Sequence, residues 1–86
     1  MKVGDIIVRM DVHPQKRIQP GDIAKIIKEK AMNEIDLENF DAMSIFKKQK
    51  FCKATDKQIA AYKQGITNIN DIPEDFQTEY IPLLWN

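Results

Sequence analysis

Gly4-Asp5-Ile6-Ile7-Val8 and Gly21-Asp22-Ile23-Ala24-Lys25-Ile26-Ile27 are two versions of one phrase. Each is a turn dipeptide feeding a short apolar run. The runs are rich in isoleucine and valine, whose β-branched side chains suit the pleated surface of a strand. Two such phrases within thirty residues predict the opening of a small antiparallel barrel.

Working outward, Ile6, Val8, Met10 and Val12 alternate with Ile7, Arg9 and Asp11. Period two predicts a half-buried strand between Val3 and Val12. His13-Pro14 stops it, because proline has no amide proton for a ladder. Gln15 to Ile18 reads as a loop tip and Gln19-Pro20-Gly21-Asp22 as a turn. Ile23 to Lys28 is the second strand. A helix over Asp22 to Met32 also fits the spacing of Ile23, Ile26 and Ile27, and ranks second because Pro20-Gly21 suits a turn. Glu34-Ile35-Asp36-Leu37-Glu38 alternates strictly and reads as a third strand, placed at a sheet edge because its acids discourage pairing with other chains. Ala42 to Phe46 is read as a fourth strand with Met43 and Ile45 on one face. Lys47 to Lys50 is a connection, and Phe51 to Ala54 a fifth strand.

Thr55-Asp56-Lys57-Gln58 is a capping box, in which Thr55 accepts from the third helical amide while Gln58 reaches back. It predicts a helix over Asp56 to Gln64, stopped by Gly65 in left-handed conformation. Ile66, Ile69 and Ile72 follow at intervals of three, and Pro73 can open one further helical turn over Pro73 to Phe76. Tyr80-Ile81-Pro82-Leu83-Leu84-Trp85 is strongly apolar. The expected organisation is a barrel with its terminal helix over 1–65 and an extension over 66–86.

Composition bounds the function. With 86 residues there is one small domain, 43% hydrophobic and 30% charged, a globular balance. No run of about 18 apolar residues is present, which excludes a membrane-spanning helix. The first residues lack the apolar stretch of a secretory signal, so a cytoplasmic location is expected. The single cysteine, Cys52, forms no internal disulfide and fits a reducing compartment. Net charge is zero but segregated. Residues 1–30 carry seven basic and four acidic side chains, a surplus of three positive charges. Residues 31–46 carry four acids and no base, 47–63 carry six lysines against Asp56, and the remainder carries four acids and no base. A neutral total argues against a dedicated nucleic-acid binder, which is usually basic overall.

The stretch from Val3-Gly4-Asp5 through Ile27 resembles the opening of small SH3-like barrels, including the KOW type of ribosomal and transcription-elongation proteins. The shared features are the glycine-aspartate opening, the alternating strand, the polar loop, the second glycine and the second apolar strand. Phe51-Cys52-Lys53-Ala54-Thr55-Asp56-Lys57-Gln58-Ile59-Ala60-Ala61-Tyr62 is similar to the strand, Ala-Thr, capped helix and tyrosine that end small uncharacterised barrel proteins of phages and bacterial mobile elements. The resemblance implies a mainly β fold, an SH3-like antiparallel barrel of about five strands with a short capped helix and an apolar tail. It brings no binding residue with it.

Candidate sites are few. His13 is the only histidine, so no His–Cys or Ser–His pair is in sight. Cys52 lies among Lys48, Lys50 and Lys53, whose charges could activate a thiol. The preferred reading is a small buried filler, since free cysteine is among the most buried residue types. Glu34, Asp36 and Glu38 share one strand face and could hold a hard cation, but the preferred reading is a solvated edge. Lys47, Lys48, Lys50 and Lys53, interleaved with Phe46 and Phe51, have the ingredients of single-strand nucleic-acid binding. The preferred reading makes both phenylalanines core residues, because a small barrel needs its few aromatics inside. Tyr80, Ile81, Leu83, Leu84 and Trp85 are candidate partner-binding residues, tyrosine and tryptophan being typical interface anchors. They could equally close the open end of the fold. The sequence therefore leads us to expect a small non-enzymatic accessory protein acting by protein–protein contact, through self-assembly or on a host protein. The alternative is a KOW-like nucleic-acid-binding module using the four lysines. No metal, cofactor or small-molecule substrate is expected.

Overall fold

The structure, a computed structural model, describes residues 1–10 and 17–76. The described residues are mainly β, with five antiparallel strands and one α-helix. The strands are β1 (Ile6–Arg9), β2 (Ile23–Glu29), β3 (Glu34–Leu37), β4 (Phe46–Lys47) and β5 (Phe51–Lys53), and the helix is α1 (Asp56–Lys63). Lys48–Lys50 and Ile69–Asp71 form single 3-10 turns. The strands lie in the order β4-β3-β2-β1-β5. The two glycine-aspartate phrases thus become neighbours, with Ile7 opposite Ala24 and Val8 opposite Ile23. The competing helix over Asp22 to Met32 is absent.

Burial explains why these runs became strands. Ile7, Ile18, Ala24, Ile26, Ile35, Leu37, Phe46 and Phe51 form one core cluster, with Phe40 and Met1 packed against it. Phe46 sits edge-on to both Phe40 and Phe51, with centroid separations of 5.6 and 6.3 Å. Such edge-to-face contacts add to the apolar burial itself.

Several expectations need correction. The first strand is shorter than Val3 to Val12: Gly4 takes a positive φ of 97° and the ladder opens only at Ile6. It is covered on both faces rather than half-buried, since Ile7, Val8 and Arg9 are all buried. β3 is not an edge strand, because β4 pairs along its far side, Ile35 facing Phe46. Its acids are neutralised by partners inside the fold instead of warding off other chains. The fourth strand is only Phe46–Lys47. Asp41 is the reason, since its side chain accepts the Met43 N–H at 2.8 Å and its carbonyl accepts the Ser44 N–H at 2.9 Å. That local turn competes with a ladder and leaves Met43 and Ile45 exposed. Pro73 to Phe76 forms one hydrogen-bonded turn, Phe76 N–H to Pro73 O at 3.1 Å. The loop around His13 and the apolar stretch Tyr80 to Trp85 lie outside the described residues.

One irregularity was not foreseen. Ile26 pairs with Leu37 and Lys28 with Asp36, so Ile27 is an extra residue on β2. A bulge of this kind bends its strand and increases the local twist. It turns Ile27 outward, half exposed, while Ile26 stays in the core.

Behind α1 the chain returns to the sheet. Ile23 N–H donates to Thr67 O at 2.8 Å, Ile69 N–H to Gly21 O at 2.9 Å, and Asp22 bridges Asn68. Asn68 fixes the junction, its amide donating to Asp22 Oδ1 at 2.8 Å while its own oxygen caps the 3-10 turn through Asn70 N–H. No helix among the described residues is long and apolar enough to cross a membrane.

Candidate functional site

The carboxylate row on β3 is divided among three separate partners. Glu34 pairs with Lys47 at 2.9 Å. Asp36, buried, pairs with Lys30 at 2.9 Å. Glu38 accepts a hydrogen bond of 2.7 Å from the Tyr62 hydroxyl. Burial of Tyr62, together with that bond and the negative charge of Glu38, pushes the phenol up to about 12. A buried acid is stable only when paired and hydrogen-bonded, and here each cation or donor is spent on one acid. Among the described residues no three His, Cys, Asp or Glu side chains are grouped to hold a metal ion.

The lysine strip is likewise drawn into the fold at one end. Lys47 is held by Glu34, and Lys48 bonds both Glu29 and the Met1 carbonyl. Lys50 and Lys53 are exposed. Phe46 and Phe51 are buried at 2% and 3% exposure, so neither ring offers a face on which a base could stack. The strip contains the predicted cations without the predicted aromatic platforms.

Cys52 is exposed, contrary to the buried-filler reading. The cause is strand periodicity. Successive side chains point to opposite faces, so Phe51 entering the core sends Cys52 to the outer face. That signal was present in the sequence and the general burial preference of cysteine masked it.

On that outer face lies a concavity. Two adjoining clefts of about 400 and about 330 Å³ share Gln58 and Ile69 and form one groove. Val8 and Cys52 from the β1–β5 pair, with Met10 just past β1, line one side, and Ile69, Ile72 and Pro73 the other. Val8 lies opposite Cys52 in the ladder, which puts both at the same level of the groove. Met10 is 52% exposed, and its N–H is held by Lys50 O at 3.0 Å. Arg9 also borders the groove; its guanidinium carbon lies 5.3 Å from the centre of the Phe51 ring. A cation over an aromatic face is stabilised by the ring quadrupole, which lets an arginine sit at 3% exposure beside the core.

The groove's second side depends on Gly21. Its φ is +87°, and a Cβ there would lie 3.0 Å from Ile69 Cγ1 and 3.2 Å from Asn68 Oδ1. Only a glycine lets the 3-10 turn approach β2 this closely. Ile69 and Ile72 were legible as an every-third isoleucine pattern, but the pattern does not say which surface they face. A smaller cleft of about 140 Å³ lies between Asp22, Glu38, Phe40 and Tyr62. No family model matches the chain, and neither a curated protein nor a solved structure is matched.

Proposed function

We propose that this chain is a small non-enzymatic interaction module that works by protein–protein contact, and that its fold is an SH3-like barrel. The strand order supports the barrel reading. β2 pairs with β1 at one end and with β3 at the other, and a bulge at Ile27 bends it between the two. A 3-10 turn carries the chain from β4 to β5, the two outermost strands.

The observation that carries the functional reading is the groove between the β1–β5 pair and the Ile69–Asp71 turn. It is concave and largely apolar, with Met10 half exposed in it. Apolar concavities rimmed by polar groups suit the side chains of a protein partner. Gln58, Thr55 and Asn70 supply such a rim. The tail residues Tyr80, Ile81, Leu83, Leu84 and Trp85 have matching chemistry, so a second copy of the chain is a self-sufficient partner.

Nucleic-acid binding through Lys47, Lys48, Lys50 and Lys53 is the second reading, favoured by the exposure of Lys50 and Lys53. Light scattering on the full chain over a concentration series separates the two. Mass that rises with protein concentration and ignores a short single-stranded oligonucleotide supports the interaction reading. Mass that rises only with oligonucleotide, and less so as salt increases, supports the other.

A further inference from the structure

We propose that a second copy of the chain docks in the groove about a two-fold axis, each copy laying its Ile72-Pro73-Glu74 bank in the other's groove so that Glu74 meets the partner's Lys57. This rests on the reading of the groove as the contact surface and names its occupant.

Charge is the first argument. Lys57 and Glu74 line the same end of the groove, one from α1 and the other from the chain just past the Ile69–Asp71 turn. Both are exposed. They do not pair with each other, and among the described residues neither joins any ion pair. The imbalance extends beyond them. The side from Lys50 to Gln58 carries Lys50, Lys53 and Lys57 against Asp56, and the side from Ile69 to Phe76 carries Asp71, Glu74 and Asp75 with no base. The segregated charge blocks of the sequence thus become two opposed banks of one groove. A surface with one bank of each sign complements itself when turned about a two-fold axis.

Position is the second argument. Lys57 stands in the first turn of α1, where the helix dipole disfavours a cation. The helix gains nothing from a lysine there, whereas an acidic partner does.

Shape supplies the part that enters. Two concave surfaces do not fill each other, so something convex must project. Ile72 has extended backbone, φ −76° and ψ 121°, and Pro73 beside it is exposed. This apolar corner is the projection, and burying it with Met10 supplies the affinity. Exposed ion pairs contribute little by themselves, so Lys57 and Glu74 set the register. With both on one groove, a two-fold pair satisfies both contacts at once. Head-to-tail stacking would leave one of each open at the ends.

Light scattering over a concentration series on variants of the full chain tests the clasp. Lys57→Glu and Glu74→Lys should each weaken self-association about tenfold, because each sets like charges together at both contacts. Both positions are exposed, and glutamate suits the first helical turn, so these variants keep the fold. An equimolar mixture of the two should associate as well as wild type, since each contact then joins opposite charges. The double variant should associate with itself as wild type does. Lys63→Glu, which alters net charge equally but does not line the groove, should change nothing. Single variants that associate as wild type does, or a mixture no better than its components, would overturn the clasp. If the charge variants are silent and Met10→Glu still abolishes association, the clasp fails while the groove stands as a contact surface. If Met10→Glu is silent as well, both readings fail.

Discussion

The Tyr62 hydroxyl donates a 2.7 Å hydrogen bond to Glu38 Oε1, tying the last turn of the helix to the residue that follows β3 across 24 residues of sequence. Partial burial and the neighbouring carboxylate hold the phenol neutral up to about 12. The folded state therefore keeps a proton that the unfolded chain loses from about pH 10 upward. By linkage, the bond's contribution is fully present below pH 10 and falls as pH rises toward 12. Denaturant melts across that range should show a decline in wild type that is shallower in Tyr62→Phe. Equal slopes would remove Tyr62 as its source.

Gly21→Ala should destabilise the fold by about 1–3 kcal/mol, the usual cost of a side chain in a left-handed conformation. The contact with Ile69 adds to the backbone strain. Gly4 also has a positive φ but meets nothing within 4 Å, so Gly4→Ala should cost less. Chemical denaturation of both variants checks the ranking.

Lys30→Met should leave buried Asp36 without its cation and cost about 1–3 kcal/mol, the penalty for stranding a buried polar group. Lys30 Nζ also holds the Ala42 carbonyl at 3.0 Å. The double variant Lys30→Met, Asp36→Leu should recover part of the loss, because removing both partners removes the stranded charge. A double-mutant cycle in urea measures the recovery.

Thr55→Ala should cost about 0.5–2 kcal/mol by removing the helix cap. Both halves of the capping box are formed, Gln58 N–H to Thr55 Oγ1 at 3.2 Å and Thr55 N–H to Gln58 Oε1 at 2.9 Å. Thr55→Ser keeps the acceptor and should cost less. Thermal melts of the two variants provide the test.

What the sequence made legible was local chemistry. The glycine-aspartate turns, the isoleucine runs and the Thr55 cap each act within a few residues, and each produced the element expected. What it hid depends on tertiary partners. Glu34, Asp36 and Glu38 look like a solvated edge until Lys47, Lys30 and Tyr62 are folded against them. Asp41 overrides the apolar Met43 and Ile45 by offering its neighbours a turn. Arg9 reads as an outward-facing charge because nothing nearby in sequence announces the ring of Phe51, 42 positions away. The groove was hidden for the same reason: its sides come from β1, β5 and the turn at Ile69, which Gly21 and the Asn68–Asp22 junction bring together.

The central claim is that this groove is a surface for protein contact. The most direct measurement is light scattering on wild type, Met10→Glu and Met43→Glu from about 10 μM to about 1 mM, since self-association depends on protomer concentration. Met10 stands in the groove, and Met43, 87% exposed, does not line it. The account predicts mass rising toward the top of the range in wild type and Met43→Glu but not in Met10→Glu, with a single-stranded oligonucleotide changing nothing. Loss of association in Met43→Glu alone, or mass gained only with oligonucleotide, would contradict it.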